Sequence, residues 1–532
     1  MTEFAKKHFG MFSILAMVFV LAVSVLFGFK KKGFYIDEYY LYTFANGEQS
    51  GIAINPGEWN DTSGYIDLLT SDGDENFHFK QTYDFVENGV HPLLYYITLH
   101  FMSSVFSGVF SKWIGISINI LLMIPILFFV KNIAWKLSGE NETVTLLTIL
   151  LYGLSPATVS MVVLVRMYLM MSLFVVWYAY LHIRDLEREK LSVTGFLLPL
   201  FICGFFGFLT QYFFVVIMFF ITFCYAFYLI FSCHRIKDAI IYGATALASL
   251  ISTYFVWPVS VYHIFKGYRG KGAVSQLKDV SHFGNRLWTH LQYLNKMVFG
   301  GILPLFLLLL IIGIIFIIRR YLQIKTESKT LKDLSVSTRG MILLGIASVL
   351  SFLALSQIGL MDGGITCCRQ LYSAYALFLL LIPVGTAKLT AYLGKGKQTA
   401  AVLITATLTA VILISGHVQG SVLYLYENES VALDYAKEHP DSKVVMFQMD
   451  DGNYDWCIQE LMQYPQVYYV SVNDLDTAKD ETIANADELL VYVSTSADQE
   501  QCFDSIYQQN PNLTQADHLW DTSAFFSVYR MH

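Results

Sequence analysis

Asp37 and Glu38 stand side by side in the stretch G-F-Y-I-D-E-Y-Y-L-Y at 33–42, directly after the first long apolar run at 11–29. Two carboxylates at the mouth of a membrane span are costly to keep near a low-dielectric surface, which makes them functional candidates by default. The aromatic residues around them suit the headgroup level, where one end of a ring is apolar and the other wet. The competing reading is a solvated acidic loop.

Further groups of the same kind recur along the chain. His91-Pro92 opens the stretch H-P-L-L-Y-Y. Arg166 lies in R-M-Y-L-M-M, one to two turns into an expected span at 161–181. Arg369 opens another span in R-Q-L-Y. The stretch 262–296 adds Lys266, Arg269, Lys271, Lys278 and Arg286. A guanidinium fork binds two phosphate oxygens at once. A carboxylate within reach takes the proton from a hydroxyl. A base plus a phosphate clamp is the equipment for displacing a phosphate leaving group at a membrane surface. Each residue also has a structural reading: Arg166 as a snorkelling anchor, Arg369 as a flanking residue, His91 as the cap of a helix.

The elements that must position these groups follow from composition. Of the 532 residues, 55% are hydrophobic and only 14% charged, against about a quarter charged in a soluble protein. Apolar runs near the bilayer-crossing length recur at 11–29, 113–130, 144–160, 161–181, 192–209, 212–231, 239–259, 297–318, 341–360, 371–389 and 400–415. They predict a polytopic α-helical membrane protein with about eleven transmembrane helices. The net charge of −7 gives no reason to invoke nucleic acid. The seven Cys show no metal-ligand spacing; Cys457 and Cys502 are the pair that an oxidising compartment would join.

Orientation follows from Lys and Arg in alternate loops. With Lys6 and Lys7 in the cytoplasm, the loops carrying Lys131 and Lys136, Arg184 to Lys190, Arg235 and Lys237, Arg319 to Arg339, and Lys388 to Lys397 all fall inside, as the positive-inside rule asks. This works only if 91–110 is a helix lying in the interface, not a full span. Lys30 to Lys32 and 262–296 then fall outside as basic loops, facing lipid headgroups or an anionic substrate. The C-terminus also lies outside. From 426 onward, strands expected at 444–449, 467–472 and 489–494, a last strand in F-F-S-V-Y-R, and helical stretches at 456–463 and 499–509 predict a small extracytoplasmic α/β domain with a largely parallel sheet. The division expected is 1–425 transmembrane, with a first outer loop at 33–110, and 426–532 extracytoplasmic.

The order first span, D-E, long outer loop, H-P-L-L-Y-Y, R-M-Y, T-Q-Y-F-F at 210–214, then R-Q-L-Y with Pro383, resembles the GT-C membrane glycosyltransferases. It is most similar to the bacterial relatives of the protein O-mannosyltransferases and the lipid A aminoarabinose transferase, and it covers 11–383. The resemblance implies a polyprenyl-phosphate-linked sugar donor and an extracytoplasmic acceptor. It implies a hexosyltransferase-type transfer with inversion, in which Asp37 acts as base and Glu38 supports it. Substrate-binding roles then fall to His91, Tyr95, Arg166, Tyr168, Arg369 and Tyr372. The motif here is H-P-L where the family often has H-P-P. Met170 and Met171 stand where the mannosyltransferases carry a second acid, so any second acid must come from elsewhere, for instance Asp84 or Asp362. Some members use a divalent metal; no ligand cluster marks one in this sequence, and no cofactor is assigned. Two other functions compete. A transporter or flippase of lipid-linked glycans would place ionisable groups at the midplane on broken helices. A non-catalytic assembly protein would leave Asp37, Glu38 and Arg166 without a task.

Overall fold

The computed structural model describes residues 8–47, 54–326, 331–359, 364–394, 396–449, 456–522 and 525–532. Lys6, Lys7, Lys329, Asp362 and Lys395 lie outside the described residues. The chain forms two compact units. One comprises Met1–Phe27, Val86–Tyr95 and Ile116–Leu423; the other comprises Gly28–Phe85, Tyr96–Gly115 and Tyr424–His532.

Eight helices among the described residues are long and apolar enough to cross a membrane: Phe9–Lys30, Lys112–Ser138, Val193–Thr210, Phe214–Ser232, Ile236–Val256, Val336–Ile358, Gly364–Leu393 and Gln398–Val418. Two bent pairs raise the number to ten if each is one span: Glu142–Leu154 with Pro156–Val163, bent by 47°, and Phe283–Val298 with Leu303–Ile315, bent by 104°. The protein is therefore a polytopic helical membrane protein. The remaining expected span corresponds to Tyr168–Asp185, whose last turn carries His182, Arg184 and Asp185. Those polar residues dilute its apolar character.

The boundary expected at Met161 needs correction. The first helix stops at Leu154, and a new one runs Pro156–Val163. The side chain of Ser155 accepts a hydrogen bond from the backbone N–H of Thr158, and Pro156 occupies the first turn. Both are helix-start signals, so the chain restarts there. Residues 164–167 are then not α-helical, and the next helix begins at Tyr168. Arg166 thus sits in a link between helices, not inside a span. The stretch 262–296 is also not a loop: it lies in Ser260–Phe265, Tyr268–Lys278 and Phe283–Val298. Arg286 is buried, donates to the Asp279 carbonyl and lies 3.6 Å from the Asp279 carboxylate. The helix near His91 spans Leu94–Val105, 12 residues, or about 18 Å of rise. That is too short for the roughly 30 Å hydrocarbon core.

In the second unit six strands form one sheet in the order β1-β3-β2-β4-β6-β5. The strands are β1 (Trp59–Asp61), β2 (Val444–Gln448), β3 (Gln466–Ser471), β4 (Leu489–Ser494), β5 (Ala516–Asp521) and β6 (Phe526–Met531). β2 pairs parallel with β3 and β4, while the other three pairings are antiparallel. The sheet is mixed, not largely parallel; only its centre is parallel. β2 and β4 are buried along their whole length, as strands covered on both faces must be. Val445, Phe447, Val470, Val491 and Val493 form the core with Ile483 and Ile506. β1 and β5 escape a sequence reading. The first is three residues long, and the second, A-D-H-L-W-D, is partly exposed on both faces. Cys457 and Cys502 are both buried and free; the expected pairing is not made.

The first span packs on the 142–154 helix through Gly153. A Cβ added there would collide with the Val20 side chain, so the two helices approach at backbone distance, the usual role of small residues between membrane helices. Gly153→Val should therefore force them apart and lower the thermal midpoint of the purified protein by several degrees, while Val20→Ala in the same chain should restore most of it. An unchanged midpoint in Gly153→Val would show that this contact does not hold the first span.

Candidate active site

The D-E pair lies in the first turn of helix Ile36–Asn46, not in an extended loop. Successive helical residues point about 100° apart, so the two carboxylates cannot face the same group. Glu38 is fully buried while Asp37 is partly exposed. The Glu38 Oε2 accepts from the Tyr35 backbone N–H at 2.6 Å and from the Lys31 ammonium at 2.9 Å. The first bond satisfies an N–H that the helix start would otherwise orphan.

Lys31 is as deeply buried as its partner. It also donates to the Tyr424 carbonyl at 3.0 Å, and its Nζ lies 5.5 Å from the centre of the Phe34 ring and 5.6 Å from that of Tyr426. Both are within cation–π range. Burial lowers the Lys31 ammonium below its ordinary value, and the Glu38 charge opposes that shift. Lys30 and Lys32 remain exposed. Of the three lysines read as facing headgroups or an anionic substrate, the middle one has turned inward. A Cβ at Gly33 would lie 2.6 Å from the Glu429 Cγ and 2.9 Å from the Tyr426 Cβ. Only glycine lets the segment before the acids lie this close to the segment that follows Tyr424.

His91, Tyr95, Arg166, Tyr168, Arg369 and Tyr372 belong to the first unit, where contacts separate from those of the D-E turn connect several of them. The Tyr95 hydroxyl donates to Asn119 Oδ1 at 3.1 Å. The Asn119 amide in turn donates to the carbonyls of Val162 at 3.0 Å and Leu164 at 2.9 Å. These carbonyls end the helix that precedes Arg166, where backbone acceptors lack intrahelical partners. Asn119 thus ties the H-P-L-L-Y motif to the link that carries Arg166. Arg166 is only 3% exposed. Tyr168 meets Tyr372 edge to face, with ring centres 6.0 Å apart, so the R-M-Y and R-Q-L-Y motifs touch through their tyrosines. Arg369 lies in the short 3₁₀ helix Gly364–Leu371 and donates to the Thr366 carbonyl at 2.9 Å. His91 lies on the non-helical approach to Leu94–Val105 and is partly exposed. Asp84, an expected source of a second acid, is exposed and paired with Lys80 at 2.6 Å. Among the described residues no group of three or more His, Cys, Asp or Glu is placed to hold a metal.

No family model matches the chain, and no curated protein sequence matches it. Solved structures do. The chain is similar to ArnT from Cupriavidus metallidurans bound to undecaprenyl phosphate, at 10% identity over 96% of this chain and 97% of that one, with a TM-score of 0.49. It is also similar to the same protein in the apo state, at 10% identity over the same shares, with a TM-score of 0.42.

Two positioning residues were missed in the sequence. Asn119 carries a legible signal, a lone amide inside an apolar run, which inside a membrane marks a specific polar contact. Lys31 carries none, since three adjacent lysines offer no clue to which one folds inward. A third network escaped as well. The Tyr212 hydroxyl of T-Q-Y-F-F bonds His263 Nδ1 at 2.9 Å and accepts from the Trp257 indole at 3.1 Å. The other His263 nitrogen bonds the Glu87 carbonyl at 3.1 Å, four residues before His91.

Lys31→Met should leave Glu38 buried without its counter-charge and cost about 3–5 kcal/mol of stability. Lys31→Met with Glu38→Gln removes both charges and should recover much of that loss. Thermal unfolding of the purified variants decides: a single variant as stable as wild type would show that the pair is not buried in the folded protein.

Proposed function

We propose that the chain is a GT-C glycosyltransferase of the cell membrane. It moves a sugar, of hexose type, from a polyprenyl-phosphate donor to an acceptor on the extracytoplasmic side, with inversion at the anomeric carbon. The observation that carries this reading is the D-E pair itself. Glu38 is fully engaged inside the fold, and the turn it secures leaves Asp37 partly exposed. Asp37 is accordingly the base that removes the acceptor proton as the new carbon–oxygen bond forms. Glu38 is a positioning residue held by Lys31.

Arg166 and Arg369 are the ligands assigned to the donor phosphate. A guanidinium in a link between helices retains the geometry for a bidentate contact, and irregular backbone at membrane depth is tolerated where it is buried in protein or lines a cavity. Tyr168 and Tyr372 hold the two arginine-bearing motifs against each other. Tyr95 acts through Asn119, and His91 shapes the entry to its helix. The basic alternate loops support a cytoplasmic N-terminus and an extracytoplasmic C-terminal region.

Asp37→Asn keeps the shape of the side chain but cannot accept a proton. Turnover of a polyprenyl-phosphate hexose by the purified enzyme should fall by about 10²–10⁴-fold, with binding of undecaprenyl phosphate near normal. Arg166→Ala and Arg369→Ala should instead weaken undecaprenyl phosphate binding by about ten- to a hundred-fold, the worth of a charge-assisted contact. Full activity in Asp37→Asn would remove it as the base. Movement of an intact lipid-linked glycan across vesicles, without cleavage, would favour the transporter reading.

The orientation is tested separately. Cysteines introduced at Ser430 and Lys437 should label from outside intact cells, and cysteines at Arg188 and Lys237 should label only after permeabilisation. A Ser430 cysteine that stays protected until permeabilisation would place Asp37 on the wrong face for this chemistry.

A further inference from the structure

Beside the D-E turn, within the second unit, lies a small cavity with a composition unlike the rest of the fold. The residues around it include the aromatic Phe34, Tyr39 and Trp456 and the oxygen-bearing Glu429, Glu460 and Thr522. It holds about 290 Å³ of space, its open mouth included. It narrows to room for one water-sized group.

Glu460 is the feature that asks for an explanation. Its side chain is 2% exposed, yet its Oε1 has no hydrogen-bond partner among the described residues. The neighbouring charge is a second carboxylate, Glu429, which adds repulsion to the cost of burial; together they push the Glu460 carboxyl well above the usual carboxylate range. Cys457, Tyr492, Tyr464 and Tyr39 also face this centre, and none of them brings a positive charge. Cys457 and Tyr492 offset part of that rise by hydrogen bonding, but a buried carboxyl oxygen left without a partner is uncommon in native proteins and marks a place where something else completes the bonding.

The walls restrict what that is. Among the described residues no group of three or more His, Cys, Asp or Glu is placed to hold a metal ion, and the residues around this cavity are no exception. Three aromatic rings beside two carboxylates are instead the surroundings in which organic cations are recognised, the rings through their negative faces and the acids through charge-assisted bonds. The narrow interior admits one unsubstituted head group, not a quaternary one. We propose that this cavity binds a single primary ammonium group, with Glu460 and Glu429 as its counter-charges. The ammonium can belong to a small amine in solution or to the headgroup of an aminophospholipid. The proposal does not depend on the transfer reaction above.

The experiment uses the full-length protein. Ethylammonium chloride, titrated against sodium chloride at matched ionic strength, should raise the unfolding midpoint of the detergent-purified protein along a saturable curve. Tetraethylammonium should not. Glu460→Gln should weaken the apparent affinity at least about tenfold; if that variant does not fold, Glu429→Gln at the wall serves the same purpose. In nanodiscs, phosphatidylethanolamine that abolishes the ethylammonium response where phosphatidylglycerol does not would identify the lipid headgroup as the source. Equal responses in the two lipids would identify a soluble amine. No saturable response to ethylammonium, an undiminished response in the glutamine variants, or a response to calcium or magnesium alone would overturn the proposal.

Discussion

The turn that bears the two acids depends on one buried ion pair. Lys31 and Glu38 have both left water, a transfer that costs several kcal/mol per charge before any contact is made. It is tolerated because every other group at the site supports it. The ammonium has two oxygen acceptors and two ring faces. The carboxylate has the ammonium and a backbone N–H at the helix start. Such a pair adds little net stability over an apolar substitute, but it tolerates few alternative arrangements. It sets where helix Ile36–Asn46 begins, and therefore which way Asp37 points. Through the Tyr424 carbonyl it also fixes the segment after the first span to the start of the C-terminal region.

This arrangement explains why two adjacent acids are not equivalent. A helix turns between neighbours, so only one of the pair can be spent on packing while the other stays in reach of solvent. The partition seen here, Glu38 inside and Asp37 at the surface, follows from capping geometry. The residue at the third helical position reaches back to the N-terminal cap, and Glu38 occupies that position. The longer glutamate side chain spans that distance, and Asp37, two positions into the helix, does not take part.

Much of the membrane architecture was legible because hydropathy over twenty residues is a strong local signal. Most spans lie within a few residues of expectation. The errors came where polar detail outweighed the pattern. Ser155-Pro156 moved a helix boundary and put Arg166 into a link, although both residues are ordinary helix-start signals. The basic stretch at 262–296 has the charge of a loop but the periodicity of a helix, with Arg286, His290 and Leu294 buried on one face. Among the site residues, the contact of Tyr168 with Tyr372 and the bond of Tyr95 to Asn119 join positions far apart in the chain. No local pattern encodes such pairings. The candidate residues were identifiable by type; their partners were not.

β1 shows the same limit with a larger structural consequence. Three residues of the segment that follows the D-E helix, Trp59–Asp61, pair antiparallel with β3 of the C-terminal sheet. The Trp59 indole donates to Asp480 at 3.1 Å, and the Gly57 N–H donates to the Tyr469 carbonyl at 2.8 Å. A strand this short would not hold on its own, since an isolated pairing is marginal in water. It holds because β3 is already paired on its other side with β2, and because ring and side-chain contacts flank the ladder. The loop that follows the D-E helix is therefore an edge of the C-terminal sheet. Through Lys31 and Tyr424 before the acids, and through β1 after them, the chain on both sides of Asp37 is tied to the same folded body. The role proposed for Asp37 as a base would gain from that double attachment, because misplacement by a single ångström is enough to cost most of a catalytic group's effect.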